Sequence, residues 1–230
     1  MRGSTSRILL KLSGEAFRGP EGPLSATAIA RVIGEIEAVQ DTQIALVVGG
    51  GNIFRGARAT GFDRIEGDTL GMLATILNAL ALRSRLAGAG REAVVQSAVH
   101  TEVTDPISIR KATDALERGA IVIFAGGTGS PLVTTDTAAA LRAVSIGASL
   151  LAKSSNVPGV FDRDPAEDPD AKLLPEVSYD EFLEERYAVM DQIAVEICRE
   201  HGVPIEVFDF DRPGALKAVA AGERVGTRIR

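Results

Sequence analysis

Four short stretches have residue types and spacing suited to chemistry. They are Lys11-Leu12-Ser13-Gly14-Glu15, Gly49-Gly50-Gly51-Asn52, Gly126-Gly127-Thr128-Gly129-Ser130-Pro131 and the turn expected at Lys153-Ser154-Ser155-Asn156. Each follows an apolar, strand-like run. Glycine lets successive backbone N–H groups converge into a concave nest that suits phosphate oxygens. A lysine at a strand end adds a mobile positive charge. One such turn says little. Several from successive strands crowd onto one sheet edge, and the chemistry they would serve there is phosphoryl transfer. That reaction asks a protein for in-line positioning and charge neutralisation rather than covalent help.

Two common nucleotide fingerprints are missing. No Gly-x-x-x-x-Gly-Lys-[Ser/Thr] occurs, which excludes a P-loop. After Gly49 and Gly51 the third glycine of a dinucleotide fingerprint would fall at Phe54, which argues against a Rossmann dehydrogenase. The net charge of −6, with charges interspersed, argues against a nucleic-acid protein that relies on a basic face. The single cysteine, Cys198, permits no intrachain disulfide and fits a reducing compartment. Its neighbours Ile193, Ala194 and Ile197 make it a buried core thiol rather than a nucleophile. His100 and His201 carry no identifiable role, and no His/Cys metal cluster is seen. No run approaches the roughly 20 apolar residues of a membrane span, and Ile8-Leu9-Leu10 is too short for a signal core. A cytoplasmic, soluble chain is expected, with residues 1–4 left out of the fold reading.

Apolar runs at 7–12, 44–48, 93–96, 121–124, 149–152 and 205–208 predict strands, and the unbroken ones are typical of parallel strands covered on both faces. Helical spacing appears at 25–40, where Ile29, Val32, Ile33 and Ile36 share a face behind Ser25 as cap, and at 68–86. Further helices are expected near 107–118, 136–145, 179–185 and 191–201, with a last one near Pro213. Residues 156–175, rich in proline and aspartate, read as an irregular functional flap. The β-α alternation implies an α/β fold of three αβα layers around a central, mainly parallel sheet. At 45% hydrophobic, the 230 residues can bury a full core, and no separate linker interrupts 7–230.

Beyond these turns, Gly49-Gly50-Gly51-Asn52-Ile53-Phe54-Arg55-Gly56, Gly67-Asp68-Thr69-Leu70-Gly71-Met72-Leu73-Ala74-Thr75 and Thr134-Thr135-Asp136 carry a family likeness. So do Gly159-Val160-Phe161-Asp162-Arg163-Asp164-Pro165, Val189-Met190-Asp191 and Pro213-Gly214-Ala215-Leu216. In this order they resemble the bacterial uridylate (UMP) kinases of the amino-acid-kinase fold. The resemblance implies transfer of the γ-phosphoryl of ATP to UMP with Mg²⁺, and a homohexamer regulated by GTP or UTP. It implies one amino-acid-kinase-like domain over 7–230, with an acceptor part over about 7–145 and an ATP part over about 146–230. Mg²⁺ would be carried on the ATP phosphates, with no protein metal site.

Residue by residue, the resemblance makes Lys11, Asp136 and Asp191 catalytic, the two aspartates orienting Lys11 and ordering the Mg²⁺-bound phosphates. Lys11, Leu12, Ser13, Gly14, Gly51, Arg55, Ser155, Phe161 and Asp164 would bind ATP. Gly50, Arg55, Asp68, Thr128, Gly129, Ser130 and Thr135 would bind UMP, Asp68 through the ribose hydroxyls. Plainer readings exist: a solvated strand-end lysine for Lys11, a surface arginine for Arg55, and helix caps for Asp68, Asp136 and Asp191. The chain also departs from the family. Ser130 stands where an asparagine amide helps read uracil, Leu132 and Val133 replace two aromatics, and Ser149 and Pro158 replace aspartates. A paralogue with another small acceptor, or a non-catalytic nucleotide or oxyanion binder, therefore stays open.

Overall fold

The computed structural model describes residues 6–55, 61–165 and 167–230. Gly56 of the second glycine motif and residues 1–4 lie outside the described residues. In chain order the elements begin β1 (Ser6–Leu12), a 3-10 turn (Gly14–Phe17), α1 (Ala26–Glu37), β2 (Thr42–Val48), α2 (Arg64–Gly88), β3 (Ala93–Ser97) and β4 (Asp105–Pro106). Next come α3 (Ile109–Glu117), β5 (Ile121–Ala125), α4 (Thr135–Ser145) and β6 (Leu150–Ser155), then a short hairpin of β7 (Val160–Phe161) and β8 (Leu173–Leu174). The chain closes with β9 (Glu176–Val177), α5 (Tyr179–Glu185), α6 (Gln192–His201), β10 (Ile205–Asp209), α7 (Ala215–Ala220) and β11 (Thr227–Ile229).

Nine strands form one sheet in the order β4-β3-β5-β2-β1-β6-β10-β11-β9. Every neighbouring pair is parallel except β10 with β11, which run antiparallel. Strand alternation sorts the core into two layers. Ile8, Leu10 and Leu12 of β1, with Ile44, Leu46 and Val48 of β2, pack with the buried face of α1 and with α2 and α7. Leu9, Ala45 and Val47 face the other way, onto α3, α4 and α6. The expected α/β, three-layer architecture is therefore what the chain adopts, and Ser25 caps α1 by accepting from the Ala28 amide at 3.2 Å.

Several boundaries differ from the sequence expectation. Helix α2 begins at Arg64, not at Asp68, because Asp63 caps it, accepting from the Ile65 and Glu66 amides at 2.9 and 3.0 Å. Asp68 thus sits one turn inside the helix and is no cap. Residues 153–155 form no turn, because Lys153 to Ser155 continue β6 and pair with β10. The 156–175 stretch is less irregular than expected, since Val160 pairs with Leu174 and Phe161 with Leu173. The two- and three-residue strands β4, β9 and β11 escaped notice because so few residues carry no periodicity. Although α2 is long and apolar on average, it packs as a sheet-covering helix, burying Ile76, Ala79, Leu82 and Leu86.

Candidate active site

Because β1, β2, β5 and β6 run parallel, their C-terminal ends share one edge, and the glycine turns gather there. At the end of β1, Lys11 lies on the α4 face of the sheet, opposite in sense to its neighbours Leu10 and Leu12. Its register partner on β6 is Lys153. In the first turn of α4, Asp136 answers both. Its carboxylate stands 2.7 Å from the Lys11 ammonium and 3.1 Å from that of Lys153. All three are largely buried, their side chains 11%, 13% and 7% exposed in the order Lys11, Asp136, Lys153. Burial alone would raise the Asp136 carboxyl, but the two lysines outweigh it and hold it down at about 2. Burial and the neighbouring Lys11 charge depress Lys153 to about 8, against the pull of Asp136. Two cations on one buried anion leave a net positive charge facing the strand edge, as an arriving phosphate requires.

Asp136 is therefore more than the N-cap of α4, a duty that falls to Thr134, whose side chain accepts from the Asp136 and Thr137 amides at 3.1 and 3.4 Å. Lys153 was named in the sequence only as part of an expected phosphate-binding turn and given no role of its own. It ends an apolar run just as Lys11 does, but reading residues 153–156 as a turn hid its register with Lys11. Of the two aspartates expected to orient Lys11, Asp136 alone touches it among the described contacts. Asp191 instead caps α6, accepting from the Ala194 amide at 2.7 Å, and takes hydrogen bonds from the hydroxyls of Thr134 and Thr137. Its carboxylate is committed to tying α6 to the start of α4, so it acts on the lysines only through that helix.

A cleft of 420 Å³ opens in front of Lys11, lined by Ser13, Gly14, Gly50, Gly51, Arg55, Asp68, Ser130 and Thr135 of the expected residues. Phe54, Arg64, Met72 and Thr75 join them. The turns after β1 and β2 touch so closely that a Cβ on Gly14 would lie 2.5 Å from the Gly51 nitrogen, and one on Gly50 would lie 2.6 Å from the Gly71 carbonyl. Only glycine fits at either position. Behind the second turn, Asn52 and Asn78 exchange amide hydrogen bonds of 2.9 and 2.8 Å. Asn78 also donates to the Gly49 carbonyl at 2.6 Å, and Asn52 donates to that of Pro23 at 2.7 Å. Asn78→Ala is expected to cost about 2–3 kcal/mol, since it orphans buried partners, and to melt the protein several degrees lower in calorimetry.

Opposite, the 126–134 loop is pinned by its backbone. The Gly126 amide donates to the Thr75 hydroxyl at 2.7 Å, and the Leu132 amide donates to the Asp68 carboxylate at 2.9 Å. Arg64 donates to the same Asp68 oxygen at 2.9 Å. Burial raises the Asp68 carboxyl, but Arg64 and the Leu132 amide prevail and hold it below its ordinary value. Thr128 accepts from the Ser130 amide at 3.2 Å and shapes the loop, with Gly129 (φ 84°) in the left-handed region beside it. Neither lines the cleft, and Leu12 lies beneath it, fully buried. At the mouth, Arg55 is held 2.5 Å from Glu15, in reach of an incoming anion.

Beyond the end of β6 lies a second cavity of 510 Å³, walled by Val160, Phe161, Asp164, Tyr187 and Val189 among others. Ser155, expected to bind ATP, lines neither cavity, and its hydroxyl accepts from the Val157 amide at 3.2 Å. Ser154 beside it accepts from the Ser13 amide at 3.0 Å, joining the first turn to β6. The sheet edge thus carries the cleft in front of Lys11 and, past the end of β6, the second cavity. Cys198 is buried, and burial pushes its thiol up to about 12, which keeps it inert.

Comparison with known proteins identifies the family and the fold. The amino acid kinase family model matches residues 6–209. A uridylate kinase of Ectopseudomonas mendocina (strain ymp) is 46% identical, across 97% of this chain and 93% of its own. The crystal structure of UMP kinase from Bacillus anthracis superposes with a TM-score of 0.93 at 36% identity, covering 98% of this chain and 96% of that one. That of UMP kinase from Ureaplasma parvum gives 0.91 at 31% identity and 99% of both chains. The chain belongs to the amino acid kinase family, within its uridylate kinase group.

Proposed function

We propose that this protein is a uridylate kinase, transferring the γ-phosphoryl of ATP to UMP to give UDP and ADP. The observation that carries the reading is the buried Lys11–Asp136–Lys153 cluster at the sheet edge, with the 420 Å³ cleft opening in front of Lys11. In this reading the cleft lined by Gly50, Gly51, Arg55, Asp68, Ser130 and Thr135 takes UMP, and the cavity around Phe161 and Asp164 takes the adenosine of ATP. The acceptor part is then about 7–145 and the donor part about 146–230. Lys11 and Lys153 neutralise the charge that spreads over the transferring phosphoryl, Arg55 leaves Glu15 to grip a phosphate, and Asp68 offers its free oxygen to the ribose. Asp136 holds both lysines in place, and Asp191 steadies the helix that carries Asp136.

Mg²⁺ would enter this scheme on the triphosphate, where it would supply further neutralisation of phosphate charge. The donor set supports that choice. The carboxylate of Asp136 is engaged by two lysines and that of Asp191 by hydroxyls and an amide. The proposal extends to a cytoplasmic homohexamer with GTP or UTP as effector. One support for assembly is the side of α2 that exposes Ile65, Leu73 and Leu77 to 54%, 41% and 50%. Light scattering on the purified protein, with and without each nucleotide, tests that extension.

The deciding experiment is ADP release from Mg·ATP with UMP, CMP, dUMP or no acceptor. Turnover with UMP far above the others is the expected result, and a better acceptor than UMP overturns the assignment. A companion variant tests the base contact. Ser130→Asn restores an amide that can both donate and accept, and is expected to raise the preference for UMP over CMP about tenfold in kcat/KM.

A further inference from the structure

The last strand of the chain reaches the donor cavity through a single hydroxyl. Thr227 of β11 is fully buried. Its Oγ1 accepts from the Val160 amide at 2.8 Å and donates to the Leu174 carbonyl at 2.5 Å. Val160 and Leu174 are register partners across the β7–β8 hairpin, so this hydroxyl links both strands of the hairpin at one point. The hairpin carries Phe161, and the chain runs on from it to Asp164, both walls of the second cavity.

The contact is built on both sides. A Cβ on Gly159 would lie 2.3 Å from Thr227 Oγ1, and one on Gly226 would lie 2.4 Å from the Pro158 carbonyl, so both glycines are needed for the backbones to meet. The approach of β11 is itself fixed. Glu206, fully buried on β10, accepts from the Val225 and Gly226 amides at 3.2 Å each and from the Arg228 guanidinium. Beside it, Val207 pairs with Thr227. A held strand therefore presents one satisfied hydroxyl to an otherwise short, two-residue hairpin.

We propose that Thr227 is a positioning residue for ATP, acting through the Val160–Phe161 strand rather than by touching the nucleotide. The inference rests on the reading of the second cavity as the adenosine site. Valine matches threonine in shape but carries no hydroxyl, so it removes the hydrogen bonds that tie the Val160 amide and the Leu174 carbonyl to β11 and frees the hairpin to shift. Serine keeps the oxygen.

The test is steady-state kinetics of T227V and T227S, with ATP varied at saturating UMP and the reverse. T227V is expected to raise KM for ATP about tenfold with KM for UMP unchanged, and T227S to restore the wild-type value. A folded T227V with unchanged KM for ATP, or with both KM values raised alike, overturns the inference while leaving the kinase reading in place. Wild-type protein that shows no ATP-dependent turnover overturns the kinase reading itself. Should T227V fail to fold, hydrogen exchange on the unaltered protein decides. The Val160 amide is expected to be protected, and more so with a non-hydrolysable ATP analogue, whereas fast exchange in both states overturns the proposal.

Discussion

Replacing Lys11 with alanine should lower turnover by about three orders of magnitude while leaving the protein folded. The ammonium lines the acceptor cleft at the end of β1, 2.7 Å from Asp136. Without it, Asp136 keeps Lys153 as a partner at 3.1 Å, so the buried carboxylate is not stranded and the fold survives. The deficit should fall mainly on kcat, because the charge that Lys11 answers is largest in the transition state. Circular dichroism and melting separate this from unfolding. Turnover within a few-fold of wild type would remove Lys11 from the reacting centre.

Asp136→Asn should damage both activity and stability. The amide is nearly the same size, yet it leaves two lysine ammonium groups buried beside a neutral group, at a cost of about 3 kcal/mol. The change also rewrites the pH dependence. Asp136 is held at about 2 in the folded chain against 3.8 for an ordinary aspartate. A carboxyl with a depressed folded pKa contributes stability that is present above its unfolded value and is lost as pH falls through its folded one. The wild-type protein should therefore shed this contribution between about pH 4 and 2, and the asparagine variant should show a flatter acid limb there. Lys153 works in the opposite range. Its folded value of about 8 lies below the ordinary 10.5, so the unfolded chain holds the proton more tightly and this group's share of stability rises as pH climbs from about 8 to 10.5. Denaturant titrations at several pH values read both limbs, and identical acid limbs in wild type and variant would contradict the assignment.

What the sequence made legible was whatever repeats or punctuates. Unbroken runs such as 44–48 and 121–124 announced buried parallel strands, and the glycine turns after them marked the working edge. Lys11 could be named because motif and strand end coincide, and Asp136 because the family resemblance pointed to it. The geometry that joins distant segments was not legible. Nothing local says that Lys153 lies in register with Lys11, because the pairing of β1 with β6 is a tertiary choice. Nor does the chain around Asp191 disclose that its carboxylate meets Thr134 and Thr137, more than fifty residues away. Helix α2 began a turn early because Asp63, an equally good cap, preceded the better-known Gly67-Asp68 motif. The hairpin at 160–174 and strand β11 were too short to declare themselves, and Thr227 was invisible for the same reason.

The loop facing the acceptor cleft is anchored through main-chain atoms, the Gly126 amide on Thr75 and the Leu132 amide on Asp68. Among the described contacts the side chains at 130, 132 and 133 make no hydrogen bond, and Leu132 stands 63% exposed in a left-handed backbone (φ 67°). A wall hung in this way can be repapered. Evolution is free to exchange the residues that meet the base without unseating the loop that presents them, and this is the stretch in which the chain carries Ser130, Leu132 and Val133. Taste for a substrate can drift here at little risk to the fold, while the buried lysines and their aspartate have no such licence.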